Sequence, residues 1–399
     1  MIDAEPRQFD RVIGGDAPLT AEEISLWNSG TDVAAPLPED LFIRLGVTRP
    51  ALWLRFGRSA FGVALKLMSP ASAPRLAMPD YQCADVVRKL RAAASEIVPY
   101  GLTEDLLPLQ TSLLEAAGHA DVVMTCSYFG AARIDAVLTD FYRDIKKLPG
   151  APWVIEDRVM AFPDPATAAS YMGRCDFCVL SLRKIYPIPD GAVLIACSDR
   201  AMDALDSWQR SNRLPDSSGS DAVVRARIKA KGQRASWLRS GHLVDEPGIS
   251  GLHASIQSEG LVNETAADPG EDAVAGSEGS LRYLATREIE TDLAIIHRHR
   301  KTIADALADT VCEDNCIGDG VGIAVPIRAA ARDALRQRAA EDGVFLPVHW
   351  PVHDLISLSP MAAHWHATEL SLPTLPTWSE DDVGYLCDRL GAVLGEMAA

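Results

Sequence analysis

The sequence has no surplus of positive charge. Among its 399 residues, Lys and Arg number 38 while Asp and Glu number 55, which gives a formal net charge of −17. No block of basic residues is dense enough to neutralise a row of phosphates, so we expect neither a nucleic acid nor an anionic membrane as a partner. These absences leave a small molecule as the expected substrate.

Targeting and membrane signals are also missing. The first ten residues, "MIDAEPRQFD", have no positive segment followed by an apolar stretch, so a signal peptide is not predicted. The longest apolar runs, such as "GAVLIAC", fall well short of the roughly 18 residues that a membrane-spanning helix needs. Together these features predict a cytoplasmic protein.

Cysteine is sparse and scattered. Eight cysteines in a chain of this length predict reduced thiols rather than a disulfide framework. Cys175 and Cys178 form a C-x-x-C pair, but no second pair has the spacing of a zinc site. His349 follows a short strand that could face a cleft, yet it has no partner at metal-ligand spacing. We therefore predict no metal site.

The length of the chain predicts two domains, because a single core stops growing at roughly 250–300 residues. We predict an N-terminal arm over residues 1–50, a large domain over 51–285 and a small C-terminal α/β domain over 286–399. The stretch at 263–280 is polar, glycine-rich and acidic. It predicts a flexible loop, which in a compact enzyme is either disordered or functional.

Strands and helices alternate from Trp53 to about Ser198. The strands are rich in Val, Ile and Leu, and the intervening segments have the apolar periodicity of amphipathic helices. This pattern predicts an α/β fold with a mostly parallel sheet covered by helices on both faces. In such sheets, ligands bind at the carboxyl ends of the strands.

Three strand ends carry residues suited to a ligand. Gly57, Arg58 and Ser59 begin a helix directly after a strand, so their backbone N–H groups can hold an anion. Asp157 ends the strand "PWVIED", and Lys184 follows the strand "FCVLSL". Each feature alone has an ordinary explanation: a helix cap, a solvated acid or a solvated turn.

The three features together fit one ligand. A phosphate would occupy the helix start, a protonated ring nitrogen would meet the acid, and an aldehyde would react with a desolvated lysine amine. Pyridoxal 5'-phosphate (PLP) has all three groups. The sequence therefore predicts PLP as the cofactor, with Lys184 as the reactive amine.

Several short motifs carry a family resemblance. "GRSA" at 57–60, "MPDYQC" at 78–83, "VIED" at 154–157 and "SLRKIYPIPDGA" at 181–192 resemble the fold-type-I PLP enzymes, specifically the DegT-type, sugar-aminotransferase-like group. The resemblance is strongest from about 51 to 200. It implies a three-layer α/β/α large domain with a mixed, mostly parallel sheet, and a homodimer with active sites at the subunit interface.

The resemblance also implies roles for single residues. Lys184 would form the Schiff base with PLP and act as a general acid and base, and Asp157 would pair with the pyridine nitrogen. Backbone groups of Arg58 and Ser59, beside Gly57, and the hydroxyl of Ser181 would hold the phosphate.

Two residues compete for the position that stacks on the cofactor ring. The family's aromatic residue aligns nearer Cys83, whereas Tyr81 is the better stacking group on chemical grounds. We predict Tyr81 and keep Cys83 as the alternative. Arg183 is expected to point away from the site and to fix the turn or the dimer.

The sequence departs from the family elsewhere. Arg158 follows the acid where the family often has a small or polar residue, and Gly191-Ala192 replaces the usual two glycines. The neighbouring-subunit loop of the family is not recognisable in 213–285. These departures affect the expected substrate more than the expected cofactor.

The predicted function is that of an aminotransferase. An amino group would pass from an amino-acid donor, for which glutamate is expected, to a keto-sugar or another small keto metabolite in a biosynthetic pathway. Two alternatives stay open. One is a lyase, decarboxylase or carbon–carbon bond-forming enzyme with the same cofactor, and the other is a catalytically inactive regulator with the PLP fold.

Overall fold

The computed structural model describes residues 7–8, 11–14, 17–28, 35–212, 214, 222–239, 243–244, 274–308 and 319–398. Most of the acidic loop predicted at 263–280 lies outside these residues, as does most of the divergent part of 213–285. The last residues of that stretch differ from the prediction, because a helix begins at Glu278. Its N-terminus is capped by the side chain of Ser277, which accepts a hydrogen bond from the Ser280 N–H.

The strands are short, and most of them belong to one sheet. In chain order they are β1 (Arg7–Gln8), β2 (Ile13–Gly14), β3 (Ala51–Leu54), β4 (Arg75–Pro79), β5 (Glu96–Tyr100), β6 (Val122–Cys126), β7 (Trp153–Asp157), β8 (Phe177–Ser181), β9 (Ala192–Ala196), β10 (Leu243–Val244), β11 (Ala324–Arg328), β12 (Val344–Phe345) and β13 (Glu369–Pro373).

The helices alternate with these strands in the first half of the chain. In chain order they are α1 (Ala21–Ser25), α2 (Pro38–Arg44), α3 (Gly57–Met68), α4 (Ala84–Ala93), α5 (Gln110–Gly118), α6 (Ala132–Ile145), α7 (Ala168–Met172), α8 (Asp199–Ser211), α9 (Ala222–Arg239), α10 (Glu278–Ala285), α11 (Ile289–Leu307), α12 (Arg332–Glu341), α13 (Pro360–Thr368) and α14 (Glu380–Ala398).

The central sheet has seven strands in the order β3-β9-β8-β7-β6-β4-β5. Strands β4 to β8 are mutually parallel, while β9 runs antiparallel to both β8 and β3. Every residue of β6, β8 and β9 is buried, as expected of strands covered on both faces. The predicted mixed, mostly parallel sheet is confirmed.

This topology brings three strand ends to one edge. Because β3 is antiparallel to β9 and β9 is antiparallel to β8, β3 runs in the same direction as β7 and β8. The carboxyl ends of β3, β7 and β8 therefore point the same way. They lead into the start of α3, Asp157 and Lys184, respectively.

A second, smaller apolar core lies among the C-terminal elements. It is built around β11 and β13, which pair antiparallel, and α14. Helix α11 joins the two cores, because Ile296 packs in the large one and Ile303 in the small one. The N-terminal segment contributes to both: Leu41 lies in the large core and Ile13 in the small one. The exact domain boundaries stay a prediction.

A buried arginine strengthens the junction between the cores. Arg300 on α11 is 1% exposed, and its guanidinium donates to the carbonyl oxygens of Phe129 at 3.1 Å, Ala324 at 2.5 Å and Asp319 at 2.7 Å. These hydrogen bonds tie α11 to a loop of the large core and to β11. Within the part of the chain that the structure describes, no helix has the length and apolar character needed to cross a membrane.

Candidate active site

Lys184 lies on a rigid turn at the end of β8. A single 3-10 turn, Leu182–Lys184, follows the strand. The Leu182 N–H donates to the Gly191 carbonyl at 3.0 Å, and the Gly191 N–H donates to the Arg55 carbonyl at 2.9 Å. Gly191 has φ of +128°, and a Cβ at this position would lie 2.6 Å from the Trp53 ring. Glycine is therefore required for the turn that positions the lysine.

The Lys184 amine lies in a desolvated environment. Burial lowers the pKa of Lys184, and the positive charge of Arg183 acts in the same direction, whereas Cys83 and Asp157 partly offset the effect. The Nζ atom lies 5.9 Å from the centroid of the Trp350 ring. A lower pKa increases the fraction of neutral amine, which is the nucleophilic form.

Asp157 is a buried acid with few compensating charges. Its Oδ1 accepts a hydrogen bond from the Val159 N–H at 3.0 Å, and its Oδ2 accepts one from the Gln82 amide at 3.2 Å. Burial raises the pKa of Asp157 to about 6, although these hydrogen bonds and the charge of Lys184 lower it. A cation placed beside this carboxylate would favour its ionised form.

The start of α3 has the features of an anion site. Phe56 precedes the helix and provides no side-chain cap for the N–H groups of its first turn. Three guanidinium groups surround the Phe56 ring: the Cζ atoms of Arg58, Arg183 and Arg227 lie 4.5, 5.2 and 5.7 Å from its centroid. Three arginines therefore lie around the side chain of the residue that precedes this helix, and the helix N-terminus itself favours negative charge.

Gly57 keeps the helix start close to the acid. A Cβ on Gly57 would lie 3.3 Å from the Cγ1 atom of Val159, two residues beyond Asp157. Ser59, in the first turn of α3, is buried, and so is Ser181, the last residue of β8. The sheet therefore brings Gly57, Ser59 and Ser181 to the edge that carries Asp157 and Lys184.

Tyr81 and Cys83 occupy different positions around the lysine. Tyr81 is fully buried in an aromatic cluster, 5.2 Å from Trp350 and 5.7 Å from Tyr128 between ring centroids, and its hydroxyl donates to the His349 carbonyl. Cys83 directly precedes α4 and is half-buried, and among the groups that oppose the lowered pKa of Lys184 it contributes most. Which of them contacts the cofactor ring stays a prediction.

A cavity of about 250 Å³ lies beside Lys184. Its walls come from both halves of the chain. Arg183, which the sequence predicts to point away, lines this cavity, and its guanidinium lies over the Phe56 ring. The other charged or polar lining residues are Lys184, Tyr186, Lys231 and His349.

The comparisons with known proteins concern the fold. No family model and no curated protein matches this sequence. Among solved structures, Helicobacter pylori PseC, an aminotransferase involved in the biosynthesis of pseudoaminic acid, is 12% identical, with a TM-score of 0.64 over 98% of this chain and 100% of that chain. The sugar aminotransferase CalS13 from Micromonospora echinospora is 13% identical, with a TM-score of 0.60 over 94% and 98%.

A third structure was solved with the cofactor. Spr1654 from Streptococcus pneumoniae in its PLP form is 13% identical, with a TM-score of 0.63 over 97% of this chain and 99% of that chain. This chain has the fold of type I aminotransferases. The predicted fold class is thereby confirmed. In this type I fold, the cavity beside Lys184 lies where the sheet edge meets the C-terminal elements.

Several residues around the site were not predicted from the sequence. Gln82 lies between the two candidate stacking residues and donates to Asp157. Arg227 and Lys231 come from α9, and Trp350 follows His349. The spacing of Arg227 and Lys231 by one helical turn was an available signal, but nothing in the sequence places α9 against the sheet edge.

Proposed function

We propose that the protein is a PLP-dependent aminotransferase of the DegT type, with Lys184 as its Schiff-base residue. The amino group would move from an amino-acid donor, for which we take glutamate, to a keto-sugar or other small keto metabolite in a biosynthetic pathway. One observation carries the proposal: a lysine with a lowered pKa and a buried acid with a raised pKa share one sheet edge with an uncapped helix start.

The groups at this edge fit the cofactor. Asp157 is buried, and the donors to it within the described part of the chain are neutral, so it can accept a protonated pyridine nitrogen without displacing any of the ion pairs seen there. The first turn of α3, together with Arg58, Arg183 and Arg227, offers charge and N–H groups for a phosphate. Ser181 would add its hydroxyl there.

The chemistry divides between cofactor and protein. Bound PLP supplies an aldehyde and a ring that stabilises negative charge on the carbon next to the substrate amine. Lys184 supplies the amine that holds the cofactor, and its Nζ can accept and return the proton that moves during transfer. Asp157 would keep the pyridine nitrogen protonated, and Tyr81 or Cys83 would contact the ring.

The substrate class rests on the structural neighbours. CalS13 is a sugar aminotransferase, and PseC takes part in the biosynthesis of pseudoaminic acid. The two alignments cover 98% and 94% of this chain, respectively. This agreement favours a keto-sugar acceptor over a keto acid.

The test is spectroscopic. Protein loaded with PLP is expected to absorb at about 420 nm. Addition of glutamate should shift the absorbance to about 330 nm, with release of 2-oxoglutarate. A protein that takes up no PLP would contradict the proposal entirely. If PLP is bound but glutamate and other amino acids leave the spectrum unchanged, a lyase or carbon–carbon bond-forming reaction becomes the better assignment.

We further propose a homodimer in the cytoplasm. The dimer rests on the resemblance to the DegT-type group, and the location rests on the eight cysteines, whose number and scatter fit reduced thiols. Light scattering on the purified protein measures the first, and a fluorescent fusion in the native cell measures the second. A monomer with full transaminase activity would contradict the interface site.

A further inference from the structure

Three polar side chains of the C-terminal half form a continuous hydrogen-bonded chain. The Nδ1 atom of His349 lies 2.8 Å from the Oγ atom of Ser371. Ser371 Oγ lies 2.5 Å from Oε1 of Glu369, and the other carboxylate oxygen accepts the backbone N–H of His349 at 2.5 Å. Glu369 and Ser371 are two residues apart on β13, so their side chains point to the same face.

One end of this chain faces the candidate active site. His349 lines the same cavity as Lys184, and the charge of Lys184 acts on its imidazole. Because Nδ1 is bound to Ser371, Nε2 is the nitrogen left for a group in the cavity. The other end is buried, since Glu369 and Ser371 are both 0% exposed to solvent. The proposed function uses neither of these two residues.

We propose that His349, Ser371 and Glu369 form a proton relay that connects the cavity beside Lys184 to a buried carboxyl group. His349 is the member that faces the reacting amine. Ser371 and Glu369 are positioning residues that act through it. The proposal rests on the proposed function, since it takes Lys184 as the amine that must lose and regain protons.

The transfer is balanced at every atom. One Nζ–H bond of the Lys184 ammonium breaks and an Nε2–H bond forms on His349, directly or through one water molecule. The Nδ1–H proton of His349 passes to Ser371 Oγ, and the hydroxyl proton of Ser371 passes to Glu369 Oε1. Lys184 ends as a neutral amine and Glu369 as a neutral acid, while His349 and Ser371 stay neutral.

The two ends of the relay, His349 and Glu369, differ in basicity, and Glu369 is the stronger base. Burial lowers the pKa of His349 to about 3, with the charge of Lys184 acting in the same direction, so the imidazole alone is a poor proton acceptor. Burial raises the pKa of Glu369 to about 8, despite opposing contributions from Ser371, His349 and Arg332. A carboxylate with that pKa suits proton exchange near neutral pH.

Charged and titratable groups lie on several elements around the relay, and one of them, Arg328 on β11, is the cross-strand neighbour of Glu369. The Tyr81 hydroxyl donates to the carbonyl oxygen of His349, and Arg332 favours the ionised form of Glu369. Lys184 is the cation that acts on the imidazole. Two further cations, Arg183 and Lys231, line the shared cavity.

The relay makes a prediction about the imidazole that needs no enzymatic activity. When Glu369 is protonated, Ser371 donates to Nδ1, so His349 carries its proton on Nε2. When Glu369 is ionised, Ser371 donates to the carboxylate and His349 carries its proton on Nδ1. Titration of a buried carboxyl group therefore changes the tautomer of a histidine that itself stays neutral.

Nitrogen-15 NMR of histidine-labelled, PLP-loaded protein measures the tautomer directly. The His349 signals are assigned by their loss in His349→Gln, with His364→Gln as a control at an exposed histidine. We expect a change from the Nε2–H to the Nδ1–H tautomer centred near pH 8, and its absence in Ser371→Ala and Glu369→Gln. A single unchanging tautomer from pH 6.5 to 9.5, or a change that persists in Ser371→Ala, would overturn the relay.

Kinetics provide a second measurement with a matched control. Ser371→Ala is expected to slow the spectral change with glutamate about 10- to 100-fold. Thr374→Val removes another buried hydroxyl just beyond the same strand, one that donates to the Gly322 carbonyl at 2.6 Å, and should change the rate less than about threefold. Equal losses in both variants would reduce Ser371 to a structural role. If glutamate gives no reaction in any protein, the proposed function fails, while the NMR result still decides the relay.

Discussion

Glu156 and Asp157 are neighbours at the end of β7, and both are 0% exposed, yet they have opposite surroundings. Glu156 accepts hydrogen bonds from the guanidinium groups of Arg158 at 2.8 Å and Arg174 at 2.7 Å, and from the Tyr142 hydroxyl at 2.9 Å. Asp157 lies on the other face of the sheet, where, among the residues that the structure describes, only an amide and a backbone N–H donate to it.

This difference separates a structural acid from one prepared for a ligand. Around Glu156, the chain supplies cations of its own, and Asp135 joins the same network. Around Asp157, the charge of Lys184 compensates in part and burial still raises the pKa. A buried carboxylate that lacks a full countercharge costs stability, which is typical of functional sites whose ligand supplies the missing charge.

The largest effect is expected on the face of the sheet that carries Asp157, when the Lys184 amine is removed. Lys184→Ala should abolish covalent attachment of PLP after borohydride reduction, as measured by intact-protein mass, and should lower transamination at least about 10³-fold. The matched control is Lys231→Ala, which removes another amine from the same cavity and should keep the mass increase. A reduced adduct in Lys184→Ala would show that another amine holds the cofactor.

On the face of the sheet that carries Glu156, a substitution should instead lower the stability of the protein. Glu156→Gln leaves the buried guanidinium groups of Arg158 and Arg174 with less negative charge, so we expect the free energy of unfolding to fall by about 3–5 kcal/mol. Urea denaturation of the cofactor-free protein measures it. Glu115→Gln, at an exposed position on α5, should change it by less than about 0.5 kcal/mol. A loss below about 1 kcal/mol for Glu156→Gln would contradict the structural role.

Asp157→Asn should raise the free energy of unfolding in the same urea assay, whereas Glu156→Gln lowers it. Without the buried charge, the cofactor-free protein should gain about 1–2 kcal/mol, the gain being limited by the altered hydrogen bond with Gln82. The glutamate half-reaction should nevertheless slow about 10²-fold, because the pyridine nitrogen loses its ionic partner. If Asp157→Asn and Glu156→Gln destabilise the protein equally, the distinction between the two acids is wrong.

Much of the Asp157 face could be predicted from the sequence, for a physical reason. Asp157 ends an apolar strand, Gly57 and Lys184 come shortly after the ends of two others, and strands that run in the same direction place these ends at one edge. The pattern of strands along the sequence was therefore sufficient to predict that these distant residues lie at one sheet edge. The orientation of Arg183 was not predictable in this way, because it depends on packing against Phe56.

The other residues of the site come from elements whose placement the sequence does not specify. Helix α9 brings Arg227 and Lys231 to the cavity, and its docking is a tertiary event. Glu369 and Ser371 did leave a signal, since they interrupt an otherwise apolar strand on one face. Only the fold reveals that His349 closes this pair into a hydrogen-bonded chain.

The smallest expected effect is a pH dependence confined to Asp157. In the cofactor-free protein its folded pKa is about 6, above the value of roughly 3.9 expected when unfolded. The folded state therefore binds more protons than the unfolded state between about pH 4 and 6, and this contribution to stability is lost as the pH rises through that window. The stability advantage of Asp157→Asn should accordingly be near zero at pH 4, grow until about pH 6 and then level off. Loading with PLP should remove this loss of stability in the unchanged protein, because a protonated ring nitrogen keeps Asp157 ionised throughout. If the stability advantage of Asp157→Asn is the same at every pH, Asp157 does not titrate in this range.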